Sequence, residues 1–338
     1  MNREWGFWSE VKLDALERYL PRFTTASRSA HTVLYLDLFA GAILNTRRDQ
    51  PNRTFEGSTV RALQAEPQFT HLRFFELEAE AESLRRQLDR MFPGDERYTI
   101  VPGDCNISIS RTLSDLRSEG LDWSPTFAFI DPDAFELSWE TLSSIASFKN
   151  PQAKTKAEML ILLSHTSIPR LAGWDSAMGL DEALSASTTT FYGTSVWRHI
   201  LDRRIRYGLS ANDARALYTD LFRHRLQHVL GYRRTLTIEM GNERGSPVYV
   251  LVFATDHEAG VRIMSSVFEE AREQSAEYRA EVADRRRRQE HRERGEVPLF
   301  DMEDPTLQPQ PLYFESTQIQ EDPVLPDWLM SSLDQESS

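Results

Sequence analysis

The sequence predicts an open, doubly wound α/β sheet, and three observations carry that expectation. Five short apolar runs, at residues 33–39, 71–75, 98–101, 126–130 and 159–163, alternate with amphipathic stretches. Runs that are apolar throughout suit parallel strands covered on both faces. Acidic residues stand where these runs end, at Asp37, Glu76, Asp104 and Asp131, and ligands of such sheets lie beyond the strand carboxyl ends. Two later β-like runs, 234–239 and 248–254, are separated by Gly241-Asn242-Glu243-Arg244-Gly245 and predict an antiparallel pair that completes the sheet.

The elements follow in order. Val11, Leu13, Leu16, Tyr19 and Leu20 recur at helical spacing over 9–20, and Pro21 is expected to stop that helix. Residues 43–56 are polar and turn-rich and read as a long loop; Ser58 is then the expected N-cap of a helix reaching about residue 66. Helices are expected at 79–91, 107–118 and 139–148, followed by a helical insertion over about 165–230. A last helix, 257–273, would pack on the antiparallel pair. One domain is thus expected over 1–275, with a charged helix extension and largely disordered tail over 276–338. Pro298-Leu299-Phe300 and Trp328-Leu329-Met330 stand out in that tail as docking peptides.

Composition narrows the function. With 39 basic and 52 acidic residues among 338 the net charge is −13, so no global field recruits nucleic acid or an anionic membrane. A local basic face is left open by the arginine-rich stretch 198–206; the charge run Arg285–Arg288 reads as solvated helix. The single cysteine, Cys105, excludes an internal disulfide framework and a multi-cysteine metal site. No apolar run reaches the roughly 18 residues that span a bilayer, and Met1–Glu10 lacks signal-peptide character, so a cytoplasmic protein is expected.

The densest signal is Leu34-Tyr35-Leu36-Asp37-Leu38-Phe39-Ala40-Gly41, a buried strand running into a tight small-residue turn. It resembles the first motif of S-adenosylmethionine-dependent methyltransferases, with Ala42-Ile43 where that motif has its second glycine. Asp37, Phe39, Ala40 and Gly41 would then lie at the methionine end of the cofactor. Glu76 would accept the ribose hydroxyls, because an ionised carboxylate offers acceptors only. Asp104, with Cys105 and Asn106, would meet the adenine amino group. Asp131-Pro132-Asp133-Ala134-Phe135-Glu136 stands where amino-methyltransferases hold the substrate amine, which makes Asp131, Asp133 and Glu136 the candidate catalytic residues. Asp131 and Asp133 could alternatively bind Mg²⁺. His165, directly after the fifth strand at the edge of the site, reads as a hydrogen-bonded loop residue rather than a general base, and Phe191, Tyr192 and Trp197 offer either base stacking or core packing.

Several motifs together resemble the three-Cys-motif partner proteins, a bacterial family with a methyltransferase-like fold. They are Lys12-Leu13…Tyr19-Leu20-Pro21-Arg22-Phe23, Asp37–Gly41, Glu56-Gly57-Ser58, Gly103-Asp104-Cys105-Asn106, Phe127–Pro132 with Glu136–Glu140, Phe191-Tyr192-Gly193-Thr194, and Tyr249–Phe253 with Ala254–His257, in order over about residues 10–270. The resemblance implies a seven-stranded, mostly parallel methyltransferase-like sheet, S-adenosylmethionine as cofactor, and a radical-SAM iron–sulfur partner carrying a three-cysteine motif. This chain departs from the family at Ala42-Ile43, at Asp133-Ala134 and at Ser164-His165, although Ile168-Pro169-Arg170 keeps an arginine. Two readings follow: a methyltransferase acting on nucleic acid or a modified nucleotide, and a non-catalytic module that docks on the radical-SAM partner. A Mg²⁺-dependent nuclease is a weaker third.

Overall fold

Alternating side chains along β7 (Thr126–Ile130) divide the molecule: Phe127 and Phe129 enter one core, Ala128 and Ile130 the other. The computed structural model describes residues 4–48, 50–164, 182–241, 247–293 and 322–336. His165, Ile168-Pro169-Arg170, residues 242–245 and Pro298-Leu299-Phe300 lie outside the described residues.

The main sheet has seven strands. β2 (Leu34–Asp37) lies between β5 (His71–Glu76) and β7, β6 (Tyr98–Pro102) flanks β5, and β8 (Glu158–Ser164) flanks β7. These five are parallel. The expected antiparallel pair is present: β10 (Pro247–Thr255) runs antiparallel to both β8 and β9 (Arg234–Gly241).

Each face of the sheet carries a core. On one, Tyr35, Phe127, Leu160 and Leu251 meet α1 (Phe7–Ala26), α2 (Ser58–Gln64), α3 (Glu78–Met91) and α9 (Glu258–Glu293). On the other, Leu36, Ile130, Ile161 and Val252 meet α4 (Cys105–Ser118), α5 (Trp139–Ala146) and a layer of α6 (Glu182–Tyr192), α7 (Trp197–Tyr207) and α8 (Ala211–His228). Each such fully buried side chain contributes about 1.5–3 kcal/mol.

Four expectations are corrected. Helix α1 continues through Pro21 to Ala26, because the buried stripe Tyr19, Leu20 and Phe23 extends past the proline. The region 43–56 is not a loop: β3 (Leu44–Arg47) and β4 (Gln50–Glu56) form an antiparallel ribbon, with β1 (Glu4–Trp5) alongside. The ribbon hides its polar groups in ion pairs, since buried Arg47 and the more exposed Arg53 both bind the buried Glu10 at 3.0 Å and 2.6 Å. The N-cap of α2 is Gly57, not Ser58. Finally, residues 322–336 are ordered on the helical layer: in α10 (Asp327–Glu336) Leu329 is fully buried and Trp328, Met330 and Leu333 pack beside it.

Glu158 opens β8 inside the core, accepting hydrogen bonds from Tyr19 Oη at 2.5 Å and Thr255 Oγ1 at 2.6 Å. Burial pushes its carboxyl up to about 7, and the two bonds pull the other way. The folded state therefore holds a proton that the unfolded chain has released above pH 4.5, and stability contributed by this group is lost as pH rises from there through about 7. Urea midpoints at pH 5 and pH 8 should differ less in Glu158→Gln than in wild type. An identical difference in both proteins would contradict this assignment.

Candidate functional site

Four neighbouring strands end in acids, in the spatial order Asp104, Glu76, Asp37 and Asp131 across β6, β5, β2 and β7. Asp37 pairs in register with Phe129, which places Asp131 two residues further along on the same face, toward α1. Both acids are thereby brought together, and α1 adds a residue that sequence reasoning left outside the site. Lys12 is buried, and its ammonium donates to Asp131 Oδ2.

Asp37 is fully buried, accepting from Tyr35 Oη at 3.2 Å on Oδ2 while Oδ1 is without a partner. Burial pushes its carboxyl up to about 7, with the Asp131 charge adding and the nearby Ser58 hydroxyl, the Tyr35 hydrogen bond and the Phe39 backbone opposing. Tyr249 on β10 borders the same spot: burial, then the charge of Asp131, raises its phenol. The Trp8 ring lies 6.5 Å from that of Tyr249, and the Arg48 guanidinium sits 5.8 Å above Trp8. Trp8 and then Arg48 thus continue outward from Tyr249, an aromatic and cationic row.

The turn after β2 is built against its neighbours. Gly41 has φ +63°, and its N–H donates to Glu76 Oε2 at 2.7 Å; the Leu77 N–H takes Oε1 at 2.9 Å. Ala40 is buried and its N–H donates to the Phe75 carbonyl at 3.0 Å; Phe39 packs partly into the core. Gly57 closes the turn from behind: its N–H reaches the Ile43 carbonyl at 2.8 Å, and a Cβ there would lie 2.1 Å from the Ala42 carbonyl oxygen.

On the far side, Asp104 caps α4 through Asn106 N at 2.8 Å. Asn106 staples this helix to the 131–138 loop, donating to the Glu136 carbonyl at 2.7 Å and accepting from Ser138 N at 2.9 Å and Thr141 Oγ1 at 2.8 Å. Cys105 points into the core, where burial pushes its thiol up to about 12, so it is a packing residue beside the cleft. Asp133 and Glu136 are exposed on the loop, with Asp133 N donating to Glu136 Oε2 at 3.3 Å. No group of three or more metal-ligating side chains occurs among the described residues.

Other expectations resolve into packing. Phe191, Tyr192 and Trp197 are buried, Phe191 stacking on Phe222 and taking the edge of Phe135 at 5.2 Å, so they do not face a base. Leu77 and Ile107, by contrast, are 62% and 80% exposed beside Glu76 and Asp104. The sequence signal for Lys12 was an ammonium in the Trp8, Lys12, Ala15, Tyr19 stripe, i and i+4 along an otherwise core-facing helix edge.

The residues fit S-adenosylmethionine. Asp37 holds an orphaned buried acceptor, a Cβ built at Gly41 would meet nothing nearer than 3.8 Å, and each Glu76 oxygen, bound by one backbone N–H, keeps a second lone pair for a hydroxyl. Among the described residues no helix is long and apolar enough to cross a membrane.

No family model matches this chain, and no curated protein matches it. Solved structures similar to it include protein LPL1258 from Legionella pneumophila (12% identity, covering 76% of this chain and 90% of that one, TM-score 0.41). A protein taken to be an O-methyltransferase from Klebsiella pneumoniae is 13% identical over 71% of this chain and 80% of its own, TM-score 0.36. An O-methyltransferase family protein from Burkholderia thailandensis is 13% identical over 73% of this chain and 55% of its own, TM-score 0.34. With TM-scores this low, none of them bears on what this chain does.

Proposed function

We propose that the chain is an S-adenosylmethionine-dependent methyltransferase, of the doubly wound type, acting on a nucleic-acid base or a modified nucleotide. The observation that supports this best is the row of carboxylates at four adjacent strand ends, with the positive-φ Gly41 beside the buried Asp37. When bound, the cofactor supplies an electrophilic methyl group on a sulfonium. Asp37 and the Gly41 turn hold its methionine end, Glu76 its ribose hydroxyls, and Asp104 its adenine amino group between Leu77 and Ile107. Asp131 orients the acceptor nitrogen by accepting its N–H, and Asp133 and Glu136 touch the acceptor from the rim. The residues thereby act by positioning and by excluding water.

The experiment is methyl transfer from tritiated S-adenosylmethionine to bulk transfer RNA, ribosomal RNA and genomic DNA. Asp131→Ala should lose at least about 100-fold in transfer while retaining cofactor binding. An unchanged rate in that variant would remove Asp131 from the mechanism.

The second reading, a non-catalytic three-Cys-motif partner protein docked on a radical-SAM iron–sulfur protein, is favoured by Ala42-Ile43 in the glycine motif and by the engagement of Asp131 by Lys12. Co-purification of such a protein, with no transfer to any of the three nucleic acids, is the result it expects.

A further inference from the structure

Four adjacent strand ends carry acids, and S-adenosylmethionine is a zwitterion. Asp37, Glu76, Asp104 and Asp131 suit its sulfonium, ammonium and hydroxyl groups, but its carboxylate needs a cation. Lys12 is a buried cation at this edge of the sheet, and its ammonium is bound to the residue that the acceptor needs. The Lys12 ammonium occupies Asp131 Oδ2 in the free protein, one of the two oxygens an acceptor N–H would use. A buried ion pair of this kind is held in place by the cost of leaving either charge alone; a second anion gives the ammonium a new partner, and an acceptor N–H gives Asp131 one.

We propose that Lys12 exchanges partners: the carboxylate of the bound cofactor takes its ammonium, and Asp131 is released to accept the acceptor's N–H. This rests on the proposed cofactor and makes binding ordered, cofactor before acceptor. Geometry supports it. Lys12 lies on the α1 face that Asp37 and Asp131 share, and Asp37 leads directly into the Gly41 turn where the methionine end would lie. The lysine stem is flexible, so the exchange needs only a swing of the side chain.

Calorimetric titration with two ligands tests it: S-adenosylhomocysteine, which has the amino-carboxylate arm, and 5′-methylthioadenosine, which lacks it. Lys12→Met should weaken S-adenosylhomocysteine by about 10- to 100-fold, the loss of one charge-assisted hydrogen bond, and leave methylthioadenosine within about twofold. Equal losses for both ligands, or no loss for either, would overturn the exchange while the cofactor site stands. Failure of the wild-type protein to bind either ligand would overturn the cofactor reading, and the exchange with it. If Lys12→Met does not fold, the wild-type lysine ammonium resonances decide. The Lys12 signal should move on adding S-adenosylhomocysteine and stay in place with methylthioadenosine; the same response to both would overturn the proposal.

Discussion

Gly57→Ala should lower stability by about 1–3 kcal/mol and weaken cofactor binding at least about tenfold. The backbone at Gly57 is extended, with φ −76° and ψ 173°, so the cost does not come from a forbidden dihedral. It comes from space: the new Cβ would sit 2.1 Å from the carbonyl oxygen of Ala42, and that oxygen belongs to backbone that cannot rotate away as a side chain could. The turn must therefore move as a unit, and it carries Gly41, whose N–H holds Glu76 at 2.7 Å. Thermal melts and a titration of S-adenosylhomocysteine measure both consequences. Wild-type affinity in a stably folded Gly57→Ala protein would show that the turn is not part of the binding site.

Leu329→Ala should destabilise the protein by roughly 2–5 kcal/mol, as a fully buried leucine does when truncated. Leu329 is anchored in a core shared with Phe222 and Leu226 of α8, flanked by Trp328 under the Arg203 guanidinium at 4.8 Å. The same segment ends in Glu336, which accepts from Ser195 N at 2.8 Å and Ser195 Oγ at 2.7 Å as well as from Thr194, at the start of α7. Next to Thr194, Gly193 passes so close to Trp139 that a Cβ would lie 2.3 Å from its ring, and Trp139 begins the helix after the Asp131 loop. The far end of the chain thus supports the layer against which the site's loop rests. The exposed Gln335→Ala is the control and should change stability by no more than about 0.5 kcal/mol. Equal effects from the two substitutions in urea titrations would show that the segment is not docked.

The parts of the fold that could be read from the chain are those whose burial is one-dimensional. The five parallel strands are apolar along their length, and acids or small residues mark their ends, so Asp37, Glu76, Asp104 and Asp131 could be placed before any coordinates. The ribbon over 44–56 could not, because its buried positions include the polar Asn45 and Arg47, and the partners of Arg47 are Glu10 and the rings of Phe7 and Tyr278. Helix α1 outran Pro21 because tertiary packing outweighed one missing hydrogen bond. Lys12 was hidden for a similar reason: its meaning depends on Asp131, 119 residues away. Phe191, Tyr192 and Trp197 show the converse, since aromatic residues near a site in sequence can belong wholly to the core.

The most direct test is calorimetric titration of S-adenosylmethionine into the wild-type protein and Glu76→Ala. Glu76 is partly exposed, at the end of β5, and holds the glycine turn through two backbone N–H groups, so its removal strips the site of an acceptor and of the turn's anchor. The proposed cofactor site predicts saturable binding to the wild type, a stabilisation of about 2.7 kcal/mol at 100 times the dissociation constant, and affinity at least about tenfold weaker in Glu76→Ala. No binding to the wild type at millimolar cofactor, or equal affinity in the two proteins, would contradict it.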